Sequence, residues 1–213
     1  MKNVRIVFSK TGRARYMSHL DLVRTMTRAV RRADIPLWYT EGFNRHPYIT
    51  FAAPLSLGFE SQYETMDLRL EEDMPFYVLV QRMNDAFPEG LRALSADEVK
   101  MKAGALFSAK YRLSLSATVA EVEAFLEQPS IIMQKRTKKG GMKDVDIRPY
   151  LQDVSYEKTD DGCTVKVTLP CNSTDNINPQ MIHQALSAFL ARELPPMRVL
   201  RLALYGENGQ LFV

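Results

Sequence analysis

A chain of 213 residues with 46% hydrophobic and 25% charged side chains has the make-up of a globular protein, long enough for one sizeable core or two small ones. No apolar run reaches the about 18 residues that a membrane span requires, and "MKNVRIVFSK" has neither a long apolar stretch nor a small-residue cleavage site, so the expectation is a cytoplasmic protein without a membrane segment. The net charge of +3 is unevenly spread: residues 1–50 hold ten Lys/Arg against three Asp/Glu, residues 51–100 four against ten, and residues 101–150 nine against five. Such blocks predict one basic face, and hence an anionic partner such as nucleic acid.

In chain order, "VRIVF" reads as a strand and "SHLDLVRTMTRAVRRAD" as a helix, with Ser18 as its cap and Asp21 three residues on to complete the capping pair. Leu20, Val23, Thr27 and Val30 follow the spacing of a buried stripe. "IPLWYT", "YITFAAPL" and "YETMDLRL" read as strands, "PFYVLVQRMNDAF" as a second helix behind Pro75, and "GLRALSADEV" as a closing strand. The order then recurs. "KYRLSLSA" is a strand, "TVAEVEAFLEQ" a helix with a Thr118/Glu121 capping box, and "SIIMQKR" and "DVDIRPY" are strands about Gly140-Gly141. "CTVKVTLP" is a strand, "NPQMIHQALSAFLARE" a helix capped by Asn178 with Pro179 behind it, and "MRVLRLALY" a final strand. Even the last joints match, "FPEGLRAL" against "LPPMRVL". The expected fold is therefore α+β, two tandem ferredoxin-like halves, over residues 1–102 and 103–213.

Cys163 and Cys171 lie far from any histidine and make no paired metal spacing, which predicts reduced thiols. No glycine-rich phosphate loop, HExxH or GxSxG is present. What remains is cationic. Arg24, Arg28 and Arg31 share a helix face at i, i+4 and i+7, a row suited to phosphates or simply a solvated surface. In "EGFNRHPYITF", Gly42 permits positive φ and Pro47 holds His46 extended, so Asn44, Arg45 and His46 are pre-aimed to clamp an anion or a base edge. "KRTKKGGMK" puts Lys135, Arg136, Lys138 and Lys139 about a Gly-Gly tip that can meet a nucleic-acid backbone. Tyr39, Tyr48 and Phe51 either stack bases or pack the core. His19, Asp21 and His46 are the candidate catalytic groups: an imidazole at a helix N-terminus stays neutral and basic. His183 reads as structural.

Three boxes, Ser18-His19-Leu20-Asp21, Gly42-Phe43-Asn44-Arg45-His46-Pro47 and Pro54-Leu55-Ser56-Leu57-Gly58, together with "DVDIRPYL", resemble the bacterial radical SAM-linked family of uncharacterised function. Arg45 stands where that pattern has proline, which makes the loop more cationic. The resemblance implies a partner: a radical SAM protein that carries an iron–sulfur cluster, S-adenosylmethionine and cobalamin, with a ribonuclease G-type protein in the neighbourhood, and no cofactor in this chain. The expectation is a non-catalytic accessory protein that binds or presents RNA. The alternatives are a metal-independent ribonuclease using His19 or His46 as base, with Arg45 as stabiliser, and a protein-interaction scaffold.

Overall fold

Strand β1, Lys2–Lys10, is buried on both faces through its middle, the pattern of a strand covered on both sides. In the computed structural model, which describes residues 1–43, 45–136, 140–172 and 175–213, it is the central strand of the first of two units. The structure is a mixed α+β arrangement whose described residues form four α-helices and a multi-stranded sheet. Contacts divide the chain into Met1–Phe107 with Arg201–Val213, and Ser108–Leu200. The division falls a few residues after the expected boundary, and the last thirteen residues return to the first unit.

In the first unit, β1 pairs antiparallel with β3, Glu60–Leu70 (Val4 opposite Leu68, Ile6 opposite Met66), and with β4, Leu91–Glu98. The short β2, Ile49–Phe51, lies along the other edge of β3, with Ile49 opposite Leu68. The path through these strands is β4-β1-β3, and β2 pairs with β3 off that path. Helices α1, His19–Arg32, and α2, Phe76–Ala86, cover one face, burying Leu22, Met26, Ala29, Val30, Leu79 and Met83 against Val4, Ile6, Phe8, Met66 and Leu68. Ser18 caps α1, accepting from the Asp21 amide at 3.2 Å, as the sequence predicts.

Two expectations change here. The buried stripe of α1 is Leu22-Met26-Ala29-Val30, not the one through Leu20; Leu20 is 57% exposed. Both stripes have helical spacing, and the sheet selects the one with the small Ala29 and Ala33 against it. "IPLWYT" makes only isolated bridges, Leu37 to Leu70 and Tyr39 to Pro47.

In the second unit, β5, Leu106–Leu115, pairs with β9, Gly162–Pro170, which pairs with β8, Ser155–Thr159. Helix α3, Val119–Leu126, has the predicted capping box, and α4, Pro179–Phe189, is capped by Asn178. Val122, Phe125, Ile182 and Leu186 pack on Val165 and Val167. The hairpin of β6, Ile132–Arg136, and β7, Met142–Asp146, forms a separate two-stranded sheet. Strand β10, Arg198–Gly206, ends the order of elements. His183 is buried and holds the Pro195 carbonyl at 2.9 Å, a structural role as expected. Cys163 and Cys171 are not joined in a disulfide, and burial pushes the Cys163 thiol pKa up.

Candidate functional site

The Ser18–Asp21 box begins α1 on the first unit's surface. Asp21 takes the Ser18 hydroxyl proton in a 2.6 Å hydrogen bond and stands 3.6 Å from Arg24, so its carboxylate serves the cap and the first helical turn. His19 is exposed, and its ring meets Phe51 of β2 edge-on at 5.5 Å between centroids. Phe51 in turn packs on the core ring of Phe8 at 6.4 Å. The first box therefore touches the strand that directly follows the second.

That second box is the tip of a turn closed by Thr40. The Thr40 amide donates to the His46 carbonyl at 2.9 Å, the His46 amide donates to the Thr40 hydroxyl at 3.2 Å, and His46 Nδ1 lies 3.1 Å from the same hydroxyl. Tyr39 bridges to Pro47, and Tyr48 N–H donates to the Trp38 carbonyl. Gly42 has φ 111°, the left-handed conformation for which the sequence reserves glycine. Arg45 and His46 are exposed, and Phe43 projects fully into solvent. Asn44 lies outside the described residues. The two candidate imidazoles thus have different supports, Phe51 for His19 and Thr40 for His46. Tyr39 and Phe51 pack against the core cluster, which settles their alternative in favour of packing. Tyr48 forms a half-buried group with Trp38, the Arg69 guanidinium lying 5.0 and 4.8 Å from the two ring centroids.

The third box meets, through the backbone, the 3-10 turn that precedes the first box. Gly58, at φ 84°, donates its N–H to the Arg15 carbonyl at 2.8 Å, joining the 54–58 turn to a 3-10 turn over Gly12–Tyr16. The Gly12 N–H donates to Glu60 Oε1 at 2.7 Å. Leu55 is buried and Leu57 exposed.

Beneath these turns lies a cluster that the sequence did not announce. Lys10, Glu64 and Arg201 are all buried at the helix-covered face of the sheet. Arg201 Nη1 donates to Glu64 Oε1 and to the Ala53 carbonyl, both at 2.8 Å, and Lys10 Nζ donates to the Arg15 carbonyl at 3.3 Å. Burial holds the Lys10 ammonium below its usual pKa; Glu64 opposes the shift and Arg201 adds to it. Arg201 pairs with the carboxylate, and the Arg201 and Lys10 donors hold the backbone at Ala53 and Arg15. One signal was present: Lys10 and Glu64 stand at inward positions in the same alternation as Phe8 and Met66.

The arginine row is a solvent face of α1. Arg24, Arg28 and Arg31 are exposed, and among the described residues only Arg24 of the three forms an ion pair. In the second unit, Lys135 donates to the Asn176 carbonyl at 2.6 Å, and Arg136 lies opposite Met142 in the hairpin register. Lys138 and Lys139 lie outside the described residues. No group of three or more His, Cys, Asp or Glu that could hold a metal occurs among the described residues.

Residues 3–179 match the model of a family described as an uncharacterized protein conserved in bacteria (DUF2344). The chain belongs to that family. No curated protein matches it. The DUF2344 span contains all three boxes, β1 from Asn3 onward and Glu64, whereas Arg201 lies beyond it. No helix of the described DUF2344 chain is long and apolar enough to cross a membrane.

Proposed function

We propose that this protein is a non-catalytic, RNA-binding accessory protein of a cobalamin-binding radical SAM enzyme. The observation that carries the RNA part is the exposed row of Arg24, Arg28 and Arg31 on one face of α1. Guanidinium groups grip phosphate through paired hydrogen bonds and release counterions as they do so. The single partner in the row, Asp21, is exposed at 3.6 Å and contributes on the order of 0.5 kcal/mol. It is no competitor for a polyanion. Phe43 and Arg45, both exposed in a turn held by Thr40, supply an aromatic face and a cation for an unpaired base.

The radical SAM partnership rests on the resemblance of the three boxes, which also places the iron–sulfur cluster, S-adenosylmethionine and cobalamin on the partner and makes a ribonuclease G-type protein a further neighbour. The tandem ferredoxin-like duplication belongs with this proposal. It is supported by the recurrence of strand, helix, strands, helix and strand along the chain.

The test is anisotropy of labelled structured RNAs titrated between about 50 and 200 mM salt. The expected result is affinity that falls steeply with salt, with a shallower slope in the Arg24/Arg28/Arg45 triple alanine variant. Absence of binding at the lowest salt overturns the RNA reading. RNA cut in the presence of chelator, and spared by His19→Ala or His46→Ala, overturns the non-catalytic one.

A further inference from the structure

The chain has a single tryptophan, and Trp38 stands in a group of three side chains to which the RNA reading gives no role. Its ring lies 6.0 Å from that of Tyr48 at an interplanar angle of 62°. The Arg69 guanidinium stands 4.8 Å from the Trp38 ring centroid and 5.0 Å from that of Tyr48. The backbone builds the group: the Trp38 N–H donates to the Arg69 carbonyl at 2.9 Å, and the Tyr48 N–H to the Trp38 carbonyl at 3.1 Å. Their chain neighbours Leu37, Ile49, Leu68 and Leu70 pack into the core beneath the helices, so the alternation of extended backbone turns Trp38, Tyr48 and Arg69 to the opposite face. The arginine row of α1 therefore takes no part in this group.

Two features suit the group to a ligand. All three side chains are half-buried, held in place without being closed off. Most of their hydrogen-bonding capacity is also unspent. Arg69 Nε donates to Asn3 Oδ1 at 3.0 Å, which fixes the guanidinium over the rings. Among the described residues its two Nη groups, the Trp38 indole N–H and the Tyr48 hydroxyl bind no partner. The chemistry then selects the occupant. A cationic ligand is ruled out, because Arg69 already lies over both rings. A lone phosphate or carboxylate uses the guanidinium fork and leaves the rings idle. A planar heterocycle with two neighbouring acceptors on one edge uses both, stacking on aromatic surface while that edge accepts from the Nη groups. Among nucleobases, O6 and N7 of guanine are such a pair.

We propose that Trp38, Tyr48 and Arg69 form a stacking platform for a guanine base, with Arg69 reading its edge. The platform stands at the base of the Gly42–Pro47 turn, since Tyr48 follows Pro47 directly and Tyr39, next to Trp38, bridges to Pro47. The inference rests on the RNA reading only for the source of the base, an unpaired guanosine within a strand. A free guanine nucleotide presents the same ring and the same edge.

Trp38, alone of its kind, is the reporter. The experiment titrates the intact protein with guanosine and uridine monophosphates, and with short single-stranded oligonucleotides containing or lacking guanosine, while tryptophan emission is followed. The expected result is saturable quenching, with guanine ligands bound about tenfold or more tightly than their uracil counterparts. Arg69→Lys keeps a cation and removes the planar fork; it is expected to abolish that preference while the far-UV circular dichroism stays that of wild type. Quenching confined to the oligonucleotides places the base in a strand. Quenching by guanosine monophosphate as well makes a free nucleotide sufficient, and the platform then stands even where anisotropy shows no RNA binding. RNA binding seen by anisotropy with unchanged tryptophan emission overturns the platform and leaves the RNA reading intact. Equal affinity for guanine and uracil ligands, or a preference that survives Arg69→Lys, overturns it too.

Discussion

Two buried ionic clusters occupy opposite faces of the first unit's sheet, and they are built differently. On the face away from the helices, Arg5 gives two 2.7 Å hydrogen bonds to Asp67, one of 2.8 Å to the Met101 carbonyl, and lies 4.0 Å from the Phe212 ring centroid. One cation meets one carboxylate, and the pair ties residues 101 and 212 to the sheet. On the helix-covered face, Arg201 Nη1 donates to both Glu64 and the Ala53 carbonyl, and Lys10 Nζ donates to the Arg15 carbonyl. Excess buried charge is costly. The Arg5 pair anchors residues 101 and 212; the Arg201 and Lys10 donors hold the backbone at Ala53 and Arg15. The difference separates a structural lock from the support of a site.

The largest effect is expected from removing each carboxylate. Asp67→Ala leaves Arg5 buried alone and is expected to cost about 3–5 kcal/mol in urea unfolding. Glu64→Ala removes the carboxylate that Arg201 Nη1 meets at 2.8 Å, and Glu64 is 5% exposed against 16% for Asp67, so its loss is expected to exceed that of Asp67. The opposite ranking breaks the comparison.

A smaller effect separates the clusters by pH. Between its lowered folded pKa and the ordinary 10.5, Lys10 binds fewer protons folded than unfolded. Wild-type stability therefore gains across that window as pH rises. Lys10→Met lacks this gain, so the stability of the variant relative to wild type is greatest below the folded pKa and declines as pH approaches 10.5. Denaturant titrations at several pH values check this; a difference that does not vary with pH means that the Lys10 ammonium is not destabilised by burial.

Ser18→Ala is expected to cost about 1 kcal/mol through loss of the α1 cap, seen as a lowered melting temperature. The smallest change in stability belongs to the Arg24/Arg28/Arg31 triple alanine variant, about 0.5 kcal/mol or less per site by denaturant unfolding. A loss per arginine as large as that of Ser18→Ala makes the row part of the fold rather than a binding face.

Local chemistry was legible in the sequence wherever a few neighbouring residues decide the outcome. The Ser18 cap, the Thr118–Glu121 box, Asn178 before Pro179 and the positive φ of Gly42 all occur as the residue types require. The arginines of α1 were placed on its exposed side by spacing alone. The phase of the buried stripe was not, because Leu20 and Leu22 both begin a helical pattern and only the facing sheet chooses between them. Strand β8 went unread because "SYEKT" is polar and mostly exposed, although Asp161-Gly162 marks its turn.

Chain order, caps, alternation and the basic character of the first quarter were determined by the sequence itself, since each depends on contacts within a few residues. The Arg201–Glu64 pair and the joining of the 54–58 turn to the Gly12–Tyr16 turn were decided by the tertiary structure alone. Arg201 lies 137 residues from Glu64, and Gly58 is 43 residues from the carbonyl it holds. Neither pairing has a local signal, because what selects it is the demand of buried charges and backbone groups for partners once the sheet has formed.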